Sequence, residues 1–104
     1  MRMKLSDQQK MEIKNELIDC LAPEKEIVKI VVFGSFVRSR TPNDIDVAIF
    51  QNSNDNYLNL AMKYRRKVRT LSKRLPIDIV PIKKIVSESC FLSEILRGEV
   101  IHER

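Results

Sequence analysis

Several residue types that characterise particular protein classes are scarce in this chain of 104 residues. It has no tryptophan, one histidine, two cysteines and two glycines. The two cysteines, Cys20 and Cys90, lack a Cys-x-x-Cys spacing, which excludes a disulfide scaffold and argues against a zinc site built from cysteine and histidine. We therefore expect reduced thiols and a cytoplasmic protein.

Long apolar runs and linker-like segments are missing too. No apolar run approaches the ~20 residues that a membrane-spanning helix needs. The sequence becomes polar directly after Met1, so a signal peptide is not expected. Two glycines and four prolines leave no flexible linker. We therefore expect residues 1–104 to form a single domain, a size typical of one compact unit.

The positive charge is concentrated in one segment. The net charge is +5, yet residues 57–75 hold seven basic residues and no acidic one. The rest of the chain has 12 basic and 14 acidic residues, a net charge of −2. This segment is either a solvated helix face or a surface for a nucleotide or an acidic partner. Aromatic residues for base stacking are not interleaved with the charges, which argues against direct nucleic-acid binding. Tyr57 and Tyr64 fall on the apolar stripe and are expected in the core.

Helices and strands alternate along the sequence. A capping box at Ser6 and Gln9 and a breaking Pro23 bound the first helix, and β-branched runs predict the strands. Glycine at position 98 is predicted to follow the last helix as its C′ residue. Predicted helices cover 6–22, 36–39, 57–75 and 88–97, and predicted strands cover 27–33, 44–50, 77–80 and 100–103. This order favours an α/β or α+β fold with one compact mixed sheet flanked by helices.

Two aspartates occupy alternate positions of the second predicted strand. Asp44 and Asp46 point to one face, whereas Ile45 and Val47 point to the other. Adjacent carboxylates repel each other, and a divalent cation between them removes the repulsion; oxygen ligands favour Mg²⁺ or Mn²⁺. The alternative is a pair of solvated aspartates at a strand edge.

Two further features gain meaning beside this pair. Asp78 lies in an otherwise apolar strand and joins the same face if the two strands are neighbours; otherwise it points into solvent. Gly34-Ser35 stands where a buried strand turns into a helix, a position at which backbone amides and a hydroxyl can hold a phosphate. An ordinary strand-ending turn is the alternative.

The combination of Gly34-Ser35, Asp44-Ile45-Asp46 and Asp78 resembles the signature of the DNA polymerase beta-type nucleotidyltransferase superfamily. The small size is similar to that of its minimal nucleotidyltransferases (MNT). The resemblance implies a catalytic core over residues 27–104, preceded by the helix over 6–22. It also implies roles for individual residues: a nucleoside triphosphate held by Gly34 and Ser35, with Arg38 and Arg40 as further phosphate contacts, and catalytic, Mg²⁺- or Mn²⁺-binding carboxylates at Asp44, Asp46 and Asp78.

Many minimal nucleotidyltransferases are antitoxins encoded beside a HEPN-family RNase toxin, and characterised members transfer AMP from ATP to a tyrosine of that toxin. The resemblance thus implies a protein adenylyltransferase with a HEPN partner. The sequence departs from the family at Ser39, where a second glycine is common, and its spacer before Asp44 is a residue or two shorter. These departures motivate an alternative, an antitoxin that neutralises its toxin by binding and occlusion. A small-molecule nucleotidyltransferase is disfavoured because such enzymes usually carry a further acceptor domain.

Overall fold

Four strands form one mixed sheet in the computed structural model of the chain, which describes residues 4–83 and 95–104. The strands are β1 (Ile27–Phe33), β2 (Ile45–Gln51), β3 (Ile77–Lys83) and β4 (Glu99–Glu103). Their spatial order is β3-β2-β1-β4. β1 runs antiparallel to β2 and β4, whereas β2 and β3 are parallel. The predicted α+β class with a compact mixed sheet is confirmed.

Four helices are found in the described residues: α1 (Asp7–Leu21), α2 (Ser35–Arg38), α3 (Tyr57–Lys67) and α4 (Arg69–Ser72). The predicted capping box opens α1, since the Gln9 amide donates to Oγ of Ser6 (3.1 Å) and the Ser6 amide donates to Oε1 of Gln9 (2.8 Å). Asn56 caps α3 by accepting the amide of Asn59 at 2.8 Å. Local capping chemistry therefore sets where these two helices begin.

The predicted single helix over 57–75 is wrong, because the segment forms two helices separated at Val68. The backbone of Val68 has φ −103° and ψ 14°, and its amide contacts the carbonyls of both Tyr64 and Arg66. A β-branched residue loses side-chain freedom in a helix, which makes this a weak point of the segment. The apolar stripe nevertheless continues, since Val68, Leu71 and Leu75 are all buried.

The sheet has two different faces. On one face α1, α3 and α4 pack against the strands and form the larger core, in which Leu17, Ile30 and Tyr64 are fully buried. The other face carries a smaller apolar cluster around Phe33, Ala48, Phe50 and Ile95. Strand alternation therefore separates a helix-covered face from a second face on which Asp46 also lies.

The strand ends differ slightly from the predicted ones. β2 begins at Ile45 rather than Asp44, and β4 begins at Glu99. β3 continues past the predicted end through Pro81 to Lys83. Proline is tolerated there because β3 is an edge strand of the described sheet, with β2 as its paired neighbour.

Tyr57 and Gly98 also differ from their predicted roles. Tyr64 is buried as predicted, but Tyr57 at the first turn of α3 is 58% exposed. The helix predicted over 88–97 lies mostly outside the described residues. Gly98 does follow a helical turn, its amide donating to Ile95 O at 2.9 Å, but without a positive φ. A Cβ on Gly98 would lie 2.8 Å from Cβ of Phe33, so close contact with β1 requires the glycine.

Polar contacts fasten the loop between α1 and β1. The guanidinium of Arg104 donates to the carbonyls of Ala22, Glu24, Lys25 and Ile27. Glu26 in the same loop accepts hydrogen bonds from Lys63 Nζ and from the hydroxyl of Tyr64, both at 2.9 Å. The loop thus connects α1, α3 and the end of β4.

No helix within residues 4–83 and 95–104 combines the length and the apolar character needed to cross a membrane.

The hydroxyl of buried Tyr64 provides a test of this connection. Tyr64→Phe keeps the ring in the core but removes the donor to Glu26, so we expect the free energy of unfolding to fall by about 1–2 kcal/mol, measured by urea denaturation. Tyr57→Phe is the matched control, because that ring is largely exposed. An equal loss in the two variants would contradict the importance of the Tyr64–Glu26 contact.

Candidate active site

Strand register aligns three side chains across the end of the sheet. Phe33, the last residue of β1, pairs with Asp46 of β2, and Asp46 pairs with Asp78 of β3. Paired residues on neighbouring strands project from the same face. The two carboxylates therefore lie side by side because β2 and β3 are parallel and in this register, the neighbour relation that the sequence left open.

Asp44 completes a group of three carboxylates. It directly precedes β2, and one carboxylate oxygen from each of Asp44, Asp46 and Asp78 lies within 4.8 Å of the others. Asp44 and Asp46 are half-buried, whereas Asp78 is exposed. Hydrogen bonding of the Ile45 amide to Pro76 O at 2.8 Å holds the starts of β2 and β3 together. Such a set of oxygen donors matches the ligand preference of Mg²⁺ and Mn²⁺.

Gly34 lies in direct contact with this carboxylate group. Its backbone has φ 76° and ψ −150°, a region that is essentially restricted to glycine. A Cβ at this position would collide with Oδ2 of Asp46. The sequence predicts a glycine turn here, but the approach of that turn to Asp46 depends on the register of β1 and β2 and is visible only in the structure.

The turn continues into the short helix α2. The Val37 amide donates to Gly34 O at 3.2 Å and the Ser39 amide donates to Ser35 O at 2.8 Å. Fully buried Phe36 anchors α2 in the core, whereas Ser35 is half-buried. The Gly34-Ser35 backbone is therefore held rigidly beside the carboxylates.

The connection from α2 to Asp44 adopts ordinary backbone conformations. Ser39 has φ −121° and ψ 147°, so this position, at which a second glycine is common in the resembling family, needs no glycine-specific conformation. Its hydroxyl accepts the Thr41 amide at 3.0 Å, and Lys10 Nζ donates to Ser39 O at 2.6 Å. The shortened spacer is thus fastened to α1.

The two candidate arginines are both exposed. The guanidinium of Arg40 lies 3.4 Å from the carboxylate of Asp7 on α1. Exposed ion pairs of this kind contribute little to stability, so a competing anion can replace Asp7. The structure therefore brings Gly34 and the three aspartates together, whereas Arg40 is paired with α1. Arg38 lies in the last turn of α2.

Burial and mutual repulsion make the carboxylate group electrostatically unfavourable. Burial, followed by the charges of Asp44 and Asp78, raises the pKa of Asp46 to about 6. Burial, followed by hydrogen bonding to Asp78 and by its charge, also raises the pKa of Asp44. A bound cation would relieve both effects, because it compensates the negative charge in the same space.

Two substitutions, one that removes a glycine at position 34 and one that introduces a glycine at position 39, test the backbone of this site. Gly34→Ala should lower the free energy of unfolding by about 2–3 kcal/mol, because alanine rarely adopts this conformation and its Cβ collides with Asp46. Ser39→Gly should also lower the free energy of unfolding, by about 1 kcal/mol. It removes the hydroxyl that accepts the Thr41 amide, and it raises the conformational entropy of the unfolded chain. Chemical denaturation measures both effects. A gain of stability from Ser39→Gly would mean that the spacer is strained.

The raised pKa of Asp46 predicts how stability depends on pH. Between its ordinary value of 3.8 and about 6 the folded state binds more protons than the unfolded state, so this group makes the protein less stable as pH rises through that range. Asp46→Asn should therefore stabilise the metal-free protein at neutral pH by about 1 kcal/mol, a figure reduced because solvent screens the half-buried charge. At acid pH, where Asp46 is protonated, the substitution should not stabilise the protein.

Thermal unfolding across this range, with exposed Asp19→Asn on α1 as control, measures the difference. Added Mn²⁺ should reverse the order, stabilising the wild type but not Asp46→Asn. If Asp46→Asn is less stable than the wild type in metal-free buffer at neutral pH, the repulsion is not present.

Comparison with solved structures gives matches to toxin–antitoxin complexes. A complex of a tri-AMPylated HEPN toxin with an MNT antitoxin from Shewanella oneidensis matches at 22% identity with a TM-score of 0.58, over 91% of this chain and 73% of the matched chain. A mutant MntA–HpeT toxin–antitoxin matches at 18% identity with a TM-score of 0.65, over 88% and 73%. An MntA–HepT toxin–antitoxin matches at 21% identity with a TM-score of 0.55, over 90% and 73%. At these identities the likeness concerns the fold.

A comparison with curated protein sequences gave no match. The family model described as polymerase beta, nucleotidyltransferase matches residues 15–104, which include the glycine turn, all four strands and the three aspartates. The chain therefore belongs to the polymerase beta-type nucleotidyltransferase family.

Proposed function

We propose that the chain is a divalent-metal-dependent nucleotidyltransferase that transfers AMP from ATP to a tyrosine hydroxyl of a partner HEPN toxin and so acts as its antitoxin. The observation that carries this proposal is the group of Asp44, Asp46 and Asp78 next to the glycine-only backbone of Gly34. Membership of the nucleotidyltransferase family supports the reaction class. The HEPN toxin and MNT antitoxin named for the Shewanella complex support the partner and the protein acceptor.

The residues present fit a divalent metal. They supply three carboxylates, with no cysteine or histidine in the group within residues 4–83 and 95–104. The raised pKa values of Asp44 and Asp46 mean that the site gains from added positive charge. A cation bound there would polarise the phosphates and lower the pKa of the acceptor hydroxyl. We assign Asp44, Asp46 and Asp78 as its ligands.

The chain's own groups have distinct roles in this reaction. The Gly34-Ser35 turn positions the phosphates next to the carboxylates, because no side chain stands between its backbone and Asp46. Exposed Asp78 faces the acceptor and favours transfer of the hydroxyl proton to the adjacent solvent. The hydroxyl oxygen then bonds to the α-phosphorus. The bond between the α-phosphorus and the oxygen that bridges it to the β-phosphorus breaks, and pyrophosphate leaves with the electron pair. We assign Arg38 and Arg40 to the phosphates, Arg40 exchanging its exposed pair with Asp7 for the nucleotide.

Removing the carboxylate charge tests the proposed chemistry. Asp44→Asn together with Asp46→Asn should reduce AMP transfer to the proposed HEPN toxin partner by at least ~100-fold, because the metal ligands are lost. The fold should remain, since relief of the repulsion favours the folded state. Intact-mass spectrometry of the toxin after incubation with ATP and Mg²⁺ measures the transfer, and Asp19→Asn should transfer AMP like the wild type. AMP transfer by the double variant at the wild-type rate would falsify the proposed site.

Occlusion without catalysis is the alternative function, motivated by the shortened spacer and Ser39. It predicts that the wild-type chain neutralises the toxin while the mass of the toxin stays unchanged. A mass increase of one AMP per modified hydroxyl would exclude it. The ordinary backbone conformation of Ser39 favours the catalytic proposal.

A further inference from the structure

A groove with a volume of about 600 Å³ lies along α3 and α4, away from the carboxylate face of the sheet. Its apolar lining comes from Met62, Val68 and Ile77, the first residue of β3. Its charged lining comes from Arg65, Arg66 and Arg69. The groove is therefore amphipathic, with guanidinium groups beside an apolar surface.

Three of the four other basic residues of the segment have an ionic partner among the described residues, whereas Lys73 and the arginines of this groove have none. Lys63 pairs with Glu24 and Glu26, Lys67 pairs with Glu24, and Arg74 pairs with Glu16. By contrast, the groove arginines are exposed and form no ion pair within residues 4–83 and 95–104. Their positive charges reinforce one another and are available to an anionic ligand.

The composition of the groove suits a protein segment. Arginine and methionine are enriched in protein–protein interfaces, whereas lysine, glutamate, aspartate, serine and alanine are depleted. Among the described residues the lining contains both enriched types, and Ser72 is its one residue of a depleted type. Met62 is 48% exposed, and Leu58, one turn earlier on α3, is 63% exposed, so the apolar surface extends beyond the groove. None of the described residues that line the groove is aromatic, so the described lining does not favour base stacking.

The groove also lies next to the candidate active site. Ile77 packs toward the helix-covered core, and the next residue, Asp78, pairs with Asp46 on the opposite face. A ligand in the groove is therefore bound beside the edge strand that carries one of the three carboxylates.

We propose that this groove, lined by Arg65, Arg66 and Arg69 around Met62, is the docking site for an acidic, partly apolar segment of the protein whose hydroxyl the chain modifies. This inference rests on the proposed function. Guanidinium groups would bind carboxylates of the segment, and exposed Met62 and half-buried Ile77 would contact its apolar side chains. Docking there would hold the acceptor protein at the sheet edge next to Asp78.

Arg65→Ala with Arg69→Ala tests the proposal, with Lys67→Ala and Lys73→Ala as the control. Each pair removes two positive charges from the same segment, but only the first pair lines the groove. Calorimetric titration with the proposed HEPN toxin partner should show about a tenfold or greater loss of affinity for the groove variant and little change for the control. Thermal shifts with Mn²⁺ and ATP should be the same in wild type and both variants, which separates docking from the catalytic site.

Kinetics and a competitor separate this inference from the proposed function. The groove variant should raise KM for the HEPN protein and keep kcat, whereas Asp44→Asn should lower kcat.

Equal losses in groove and control variants, or unchanged affinity of the groove variant, would overturn the inference while leaving AMP transfer intact. Binding of an oligouridine RNA that depends on Arg65 and Arg69 and displaces the HEPN protein would overturn it in favour of a nucleic-acid surface. Groove-dependent binding without AMP transfer would support the groove and refute the proposed catalysis.

Discussion

The constraint on which the structure depends is the confinement of three like charges at one end of the sheet. Asp44, Asp46 and Asp78 are held within 4.8 Å of one another although burial and repulsion raise the pKa of two of them. The parallel pairing of β2 and β3 imposes this arrangement, and alternate residues of the same strands stabilise it from the other face, where Ile45, Val47 and Ile79 are buried against the helices. Hydrophobic burial on one face thus offsets electrostatic repulsion on the other.

Glycine at position 34 follows from the same confinement. The end of β1 pairs with Asp46, so the chain must leave β1 immediately beside a carboxylate oxygen. Only a residue without Cβ fits there, and its φ of 76° turns the backbone into α2. The turn, the register of β1 with β2 and the position of Asp46 therefore cannot change independently. This coupling explains in physical terms why a Gly-Ser turn and an Asp-x-Asp strand occur together in a sequence.

The sequence predicts much of this fold and site, because local rules determine it. The capping box of α1, the buried strands and the shared face of Asp44 and Asp46 follow from side-chain chemistry and strand alternation. Other features depend on tertiary contacts that no local pattern encodes. The pairing of Asp46 with Asp78 needs β2 and β3 to be neighbours, and β3 passes through Pro81 because it is an edge strand. Tyr57 fits the apolar stripe but lies in the first turn of α3, beyond the reach of the core.

Charge is divided between two surfaces of the molecule, and this division is the physical basis for the proposed separation of chemistry from recognition. The carboxylates gain from added positive charge, whereas the exposed groove arginines are available to negative charge. Neither group neutralises the other, because the two lie on opposite sides of the sheet. Lys63, Lys67 and Arg74 of the same segment instead form ion pairs with Glu24, Glu26 and Glu16. A net charge of +5 therefore says little by itself. What matters is that the unpaired arginines are concentrated beside the one edge strand that also carries Asp78.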